Sequence, residues 1–276
     1  MESEITRQED GTIVLNITIP HSLIKKTTED VIIQTAQEAS IPGFRKGKAP
    51  KKLVADKIDK GKVKEETLGK LLPQAYAEAV KKHDIKPILN PRIHVDELSD
   101  DKDWQFTAST CEAPEVDLDN YKEEIKKLTA KSKIIVPGKE ERGEIPVNEL
   151  LNTLIQGTKI KVSKIIVEQE VERLLAQTLD EIKRLGLTLD QYLSSIKKTA
   201  EDLRKEYEKK ALSDIKLEFA LSKIAEEEKI SVSEKDVEDA IKSAKDESER
   251  KGLEANRYLL ASIIRQQKTL DFIKNL

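Results

Sequence analysis

The sequence has 276 residues, of which 37% are hydrophobic, 37% charged and 4% aromatic. Lysine and arginine (49) nearly cancel aspartate and glutamate (52), leaving a formal net charge of −3. That balance excludes a globally basic nucleic-acid binder, so any such contact has to come from a local patch. The length favours two domains or one elongated one. A charged fraction well above the roughly 25% of an ordinary globular domain, with few aromatics, suits long helices with one buried stripe and wide solvated faces. The single cysteine, Cys111, allows no intramolecular disulfide and no cysteine-based zinc site, and it fits a reducing compartment. The first residues are polar and acidic with no apolar signal-peptide core. No uninterrupted apolar run approaches the ~20 residues of a membrane span. The sequence reads as that of a soluble, cytoplasmic protein.

Residues 11–19 are rich in β-branched side chains and alternate in part, which predicts a strand stopped by Pro20. Apolar positions Leu23, Val31, Ile32 and Ala39 predict a helix over 22–39, ended by Ile41-Pro42-Gly43. A glycine-bracketed basic loop, 43–50, precedes a short helix over 51–59. A longer helix over 62–82 has Val63, Leu68, Leu71, Leu72, Tyr76 and Val80 on its inner side, with a kink expected at Pro73. Two strands follow. The first covers 91–98 with Ile93 and Val95 on one face. The second covers 104–111 with Trp104, Phe106, Ala108 and Thr110 on one face, and the polar turn 99–103 joins them. Together these describe a small α+β domain, an antiparallel sheet with helices, over residues 1–115.

Residues 116–146, punctuated by Pro137, Gly138, Gly143 and Pro146 in Lys- and Glu-rich sequence, read as a linker with a short strand over 133–136. From 147 to 276 the pattern is all-α. Val171, Leu174, Leu175, Thr178, Leu179, Ile182 and Leu185 keep helical spacing up to Gly186. Thr188 to Gln191, Thr199 to Asp202 and Ser233 to Asp236 each open a helix with a capping pattern. Gly252 is expected to break the helix begun at Ser233. The last helix, 254–276, is expected to bury Leu259, Ile263 and Leu270.

Little in the sequence carries chemistry. His21, His83 and His94 lie outside metal-ligand spacing of one another and of Cys111, so they read as surface or turn residues. Carboxylate pairs such as Glu65-Glu66 fall on charged helix faces with no apolar cleft to shift a pKa. Neither a nucleophile elbow nor a phosphate-binding loop is present, and no cofactor is expected. The exception is Gly43-Phe44-Arg45-Lys46-Gly47-Lys48-Ala49-Pro50. Gly43 and Gly47 permit backbone angles closed to other residues, so the tip can turn tightly. Arg45, Lys46, Lys48, Lys51 and Lys52 have no acid among them from 43 to 55. A ring plus a guanidinium fork can anchor to an acidic protein surface, and lysines can neutralise nearby phosphates. The residue types alone leave open a solvated basic turn with Phe44 folded back onto the domain.

That octet resembles the signature of the trigger factor family, the bacterial ribosome-associated chaperones. The resemblance extends over residues 1 to about 120 and includes Pro114-Glu115-Val116. A looser likeness covers the helical part, including Leu185-Gly-Leu-Thr-Leu-Asp-Gln-Tyr192. It implies that Phe44, Arg45 and Lys46 dock on a ribosomal protein beside the exit tunnel and near rRNA, with Gly43, Gly47 and Lys48 completing the loop. It also implies an elongated helical domain whose arms cradle nascent and unfolded polypeptides, and self-association as a homodimer. Full-length members insert a prolyl isomerase domain, on the order of a hundred residues. Here about thirty residues join the flanking parts, so no isomerase and no enzymatic activity are expected. The function implied is an ATP-independent chaperone holding unfolded chains. Surplus apolar residues Tyr192, Phe219, Leu260, Ile264 and Phe272 are its candidate contacts, and packing inside the helical domain is the competing reading for each. A SurA-like periplasmic holdase and a helical scaffold protein without a client are the alternatives.

Overall fold

A computed structural model describes residues 1–38, 59–99, 101–132 and 146–276. Two compact units emerge. One comprises Met1–Ala113 with Ser163–Ile166, the other Pro114–Val162 with Val167–Leu276.

The first unit is built on an antiparallel sheet of β1 (Glu2–Arg7), β2 (Thr12–Ile19), β3 (Arg92–Glu97) and β4 (Trp104–Cys111), in the order β1-β2-β4-β3. The strands alternate as the pleat requires. Ile13, Leu15, Ile17 and Ile19 of β2 are buried, and so are Trp104, Phe106 and Ala108 of β4. The register sets Ile19 opposite Trp104, Ile17 opposite Phe106 and Leu15 opposite Ala108. Large and small side chains thereby interlock across one face, the unit of sheet stabilisation. Trp104 also satisfies its indole by donating Nε1–H to the Ser99 carbonyl at 2.9 Å.

Two helices cover that face. α1 (His21–Glu38) begins where Pro20 ends β2, and Asp103 in the β3–β4 turn accepts the His21 amide at 2.8 Å. An acid at a helix start satisfies an orphan amide and meets the positive end of the dipole. α2 (Lys60–Lys82) is capped by Asp59, which accepts from the Gly61 amide. It runs uninterrupted through Pro73, forgoing the one bond that a residue-73 amide would donate. Leu71, Ala75 and Ala79 pack into the sheet's core, with Leu68, Leu72, Tyr76 and Val80 at its margin.

Strand β1 was not expected from the sequence. Only Ile5 in Glu2–Arg7 is a large apolar residue, and the strand exists because β2 supplies an edge for its backbone to pair with.

The second unit contains β5 (Val116–Asp117) paired with β6 (Lys159–Ile160), and eight helices among the described residues: α3 (Tyr121–Ser132), α4 (Val147–Gly157), α5 (Lys164–Arg184), α6 (Leu189–Ser195), α7 (Ala200–Glu227), α8 (Glu234–Lys242), α9 (Glu247–Ala255) and α10 (Arg257–Lys274). The first residues of α5 belong to the other unit. Residues 116–132, read from the sequence as linker, form a strand and a helix. Leu118, Tyr121 and Ile125 join Leu150, Leu154, Ile160, Ala220, Leu221, Ile224 and Ile273 in one buried cluster. The high Lys and Glu content of α3 is its solvated face, with the apolar stripe sparse but sufficient. The strand expected over 133–136 and the helix over 51–59 lie outside the described residues.

All three expected capping patterns are present, with Thr188, Thr199 and Ser233 each accepting the amide three residues on. Gly252 does not break a helix. The break falls at 243–246, where Asp246 accepts the Glu249 amide and opens α9, so a cap rather than a glycine sets the boundary. The inner face of α10 also differs. Leu260 is 9% exposed, whereas Leu259 and Ile263 are 59% and 54% exposed. Arg257 pairs with Glu234 at 2.8 Å, Arg265 donates to the Ile230 carbonyl at 3.1 Å, and Lys268 pairs with Asp236 at 2.7 Å. These three basic residues share a helix face with Leu260, Ala261 and Ile264, and they turn that face towards α8.

Candidate functional site

The octet 43–50, and with it Gly43, Phe44, Arg45, Lys46, Gly47 and Lys48, lies outside the described residues. What is described is its frame. Residues 39–58 leave from the end of α1 and return at the Asp59 cap of α2. The last turns of α1 touch the first turns of α2. Thr35 Oγ1 donates to Glu66 Oε2 at 3.5 Å, and Lys70 Nζ bonds Gln34 Oε1. Beneath them Thr67 is fully buried and donates to the Val63 carbonyl at 2.7 Å. The two helix ends that the segment joins are thus bonded to each other.

The second candidate set is apolar. Phe219 and Phe272 lie at the edge of the main cluster of the helical unit, and Ile264 borders the smaller cluster in which Leu260 is buried with Val237 and Ile241. Tyr192 is half-buried on α6. The structure does not bring these five residues together. The apolar side chains that face solvent are others. On and beside the α5–α6 turn stand Leu185, 72% exposed, with Leu187 and Leu189, and at the start of α10 stand Tyr258, 91% exposed, with Leu259 and Ile263. The turn has an audible signal in the sequence. Gly186, at φ +71°, ends α5 with the Leu187 amide donating to the Ile182 carbonyl at 3.1 Å. That closing motif leaves leucines on either side with no helix to bury them.

Electrostatics in the helical unit is structural. Burial pushes the Tyr121 hydroxyl well above its usual range, and Glu228, which accepts its proton at 3.2 Å, adds to that. Lys122, bonded to Glu228 at 2.6 Å, holds that carboxyl below its ordinary value. Asp236 is held far below the usual carboxylate range, first by Lys268 and then by Ser233. These groups join helix ends and gather around no cleft. Among the described residues no cluster of His, Cys, Asp and Glu could hold a metal. His83 caps α2 and lies 3.1 Å from Ser3 Oγ, and His94 is exposed beside Asp96. A groove of about 330 Å3 on the sheet is lined mostly by polar groups, among them Glu2, Glu4, Asn16, Asp96 and Gln105, with Ile17 and Phe106 beside them, unlike the predominantly apolar pockets that hold small molecules.

The sequence model described as bacterial trigger factor protein (TF) matches residues 1–141, and that of its C-terminus matches residues 117–275. The chain belongs to the trigger factor family. Trigger factors of Mycolicibacterium smegmatis and Staphylococcus aureus strain JH9 are each 32% identical to it, over 118 and 116 residues, or 43% and 42% of this chain. That of Corynebacterium kroppenstedtii is 29% identical over 121 residues, 44% of this chain. The matched stretches span only about a quarter of those relatives, 25%, 27% and 24% respectively. A solved structure described for promiscuous substrate recognition in folding and assembly activities of the trigger factor chaperone superposes with a TM-score of 0.66. It covers 100% of this chain and 99% of that one at 17% identity. The family fold, a small sheet-and-helix part followed by a helical part, is therefore that of this chain. No helix among the described residues is long and apolar enough to cross a membrane.

Proposed function

We propose that this trigger factor relative is an ATP-independent chaperone that docks at the ribosomal tunnel exit in the cytoplasm and holds nascent or unfolded chains on its helical unit. The observation that carries the reading is the octet Gly43–Pro50. It is a glycine-bracketed Phe-Arg-Lys tip without an acid from 43 to 55, set between two helices bonded to each other and lying within the stretch that the family model spans. In an otherwise nearly neutral chain, this stretch offers the ring, the guanidinium fork and the lysines that an acidic ribosomal protein and adjacent rRNA phosphates would accept.

The holding surface is supported by the solvent-facing leucines of the α5–α6 turn and by Tyr258, Leu259 and Ile263. Separated apolar groups amid charge can bind exposed apolar surface weakly and without a sequence code. Release then follows from low affinity and from folding of the client. The division of labour is a ribosome-binding part over 1–115 and a substrate-holding part that takes in 116–132, packed in its core, together with 147–276, with no isomerase domain between them. The chain carries no proline isomerisation activity and self-associates as a homodimer.

The test is ribosome co-sedimentation of the wild type against the triple variant Phe44→Ala/Arg45→Ala/Lys46→Ala. The variant is expected to stay in the supernatant while still suppressing aggregation of an unfolded client. Equal pelleting of both proteins rejects the docking assignment, and failure of the wild type to suppress aggregation rejects the chaperone. Turnover in a proline-limited refolding assay rejects the absence of isomerase, and a single monomeric boundary in sedimentation velocity rejects the dimer.

A further inference from the structure

The sheet of the first unit has one face packed under α1 and α2 and one face turned away from them. On that second face β4 shows Gln105, Thr107 and Ser109, and β2 shows Thr18, Asn16 and Val14, all exposed or half-buried. At the end of the same face the pattern changes. Thr12 and Cys111, opposite each other in the register, are 7% and 1% exposed. What covers them is Ser163–Ile166, four residues that return to this unit after the chain has left it at Ala113.

The seating of these residues is mostly polar. Ser163 Oγ lies 2.7 Å from Thr12 Oγ1 and also contacts the Cys111 thiol. The Asp10 carboxylate accepts the Lys164 amide at 2.9 Å, so it caps α5 from 154 residues away, and it accepts the Thr12 hydroxyl and amide, each at 2.9 Å. Asp10 is presented by the turn between β1 and β2, where Gly11 takes φ +89° and its amide donates to the Gln8 carbonyl at 3.1 Å. A side chain at that φ would be strained, so the glycine is needed to aim the carboxylate. Burial pushes the Asp10 carboxyl up, but the bonds from Lys164 and Thr12 outweigh it and hold the group below its usual value. Of the segment's two apolar side chains, Ile165 is buried and Ile166 half-buried. Burying one isoleucine and part of a second returns less than ordering four residues of backbone costs, so the polar bonds decide whether the segment stays down.

We propose that Ser163–Ile166 is a strap, fastened by Asp10 and the Thr12–Ser163 hydroxyl pair, that opens locally while the sheet core stays folded. Opening uncovers Cys111 and uncaps α5. The fastening carboxylate lies in a hairpin turn remote in sequence, so the start of α5 is tied down by tertiary structure.

Cys111, the sole cysteine, reports the strap. In the full-length wild type, its labelling by an aromatic disulfide reagent is expected to be slow but nearly independent of urea well below the unfolding transition. That is the mark of a local opening that exposes little surface. Asp10→Ala is expected to speed labelling about tenfold, the size of a lost cap, and Asp10→Asn to fall between, while Trp104 fluorescence shows an unchanged urea slope of global unfolding and a midpoint lowered by no more than that tenfold factor accounts for. Ser163→Ala, which leaves the turn intact, is expected to speed it less. Wild-type labelling that rises with urea as steeply as global unfolding refutes the strap, and this measurement stands even where Asp10→Ala fails to fold. Labelling unchanged in a folded Asp10→Ala protein refutes the role of Asp10.

Discussion

Leu259 and Leu260 are neighbours in α10, and the same substitution should have opposite consequences at the two. Leu260 is 9% exposed and packs with Val237 and Ile241, bordered by Ile264, Leu253 and Val232. Truncation of a buried leucine to alanine costs about 2–5 kcal/mol, and the small cluster, able to relax, places Leu260→Ala near the lower end at about 2–3 kcal/mol. Leu259 is 59% exposed, so less than half of a leucine's transfer free energy is at stake and Leu259→Ala should cost below about 1 kcal/mol. The assay is urea unfolding followed by far-UV circular dichroism, with hydrogen exchange of α8 and α10 amides as the local readout. With a urea slope of about 2 kcal/mol/M, Leu260→Ala should lower the midpoint by about 1 M and Leu259→Ala by less than half of that. Trp104 sits in the first unit's core, and its fluorescence transition should stay in place for both. In the aggregation assay the order should invert, with Leu259→Ala weakening client holding. Equal losses of stability, or a larger loss at Leu259, would refute the orientation of α10 and the bonds from Arg257, Arg265 and Lys268 said to set it.

Other outcomes test the two cores and the caps. Phe106→Ala, at a position 2% exposed between the sheet and its helices, should cost about 3–5 kcal/mol and move the Trp104 transition. Ile224→Ala, at a fully buried position of the helical unit, should cost about 2–5 kcal/mol and leave that transition in place. Thr199→Ala removes the side chain that accepts the Asp202 amide and should cost about 1 kcal/mol, seen as faster exchange in the first turn of α7. The Asp236 carboxyl is depressed by Lys268 and Ser233, so the unfolded chain binds its proton first as pH falls. Its stabilisation is full above the ordinary carboxylate pKa and declines between about pH 5 and pH 2. Lys268→Met should flatten that acid limb, as read by denaturation midpoints at successive pH values.

Much of the fold is present in local pattern. The alternation in Thr12–Ile19 and Trp104–Cys111 needs only a buried face to become two paired strands, and Thr188, Thr199 and Ser233 each announce a helix because the cap bond is made within four residues. The octet, too, stands out by composition alone, with three basic residues and a phenylalanine, two more lysines directly after it, and no acid from 43 to 55. What failed did so where the deciding partner is remote. Glu2–Arg7 carries no strand pattern of its own and pairs only because β2 leaves an edge open. The helix over Tyr121–Ser132 looks like linker until Leu118, Tyr121 and Ile125 meet Leu150 and Ile224. The exposed leucines around Gly186 were visible in the sequence as a family phrase, but their freedom from any core was not.

The sequence by itself determined that this chain is a sheet-and-helix part followed by helices, with one basic, glycine-bracketed tip, since periodicity, caps and charge are properties of neighbouring residues. Tertiary structure alone decided which face of each helix is buried. In α10 the sets Leu259/Ile263 and Leu260/Ile264 have the same four-residue spacing, and helical geometry treats them alike. The choice between them was made by Glu234, the Ile230 carbonyl and Asp236 on neighbouring elements, as the start of α5 was fixed by an aspartate in a distant turn. Contacts of that kind depend on where the folded chain brings remote residues together.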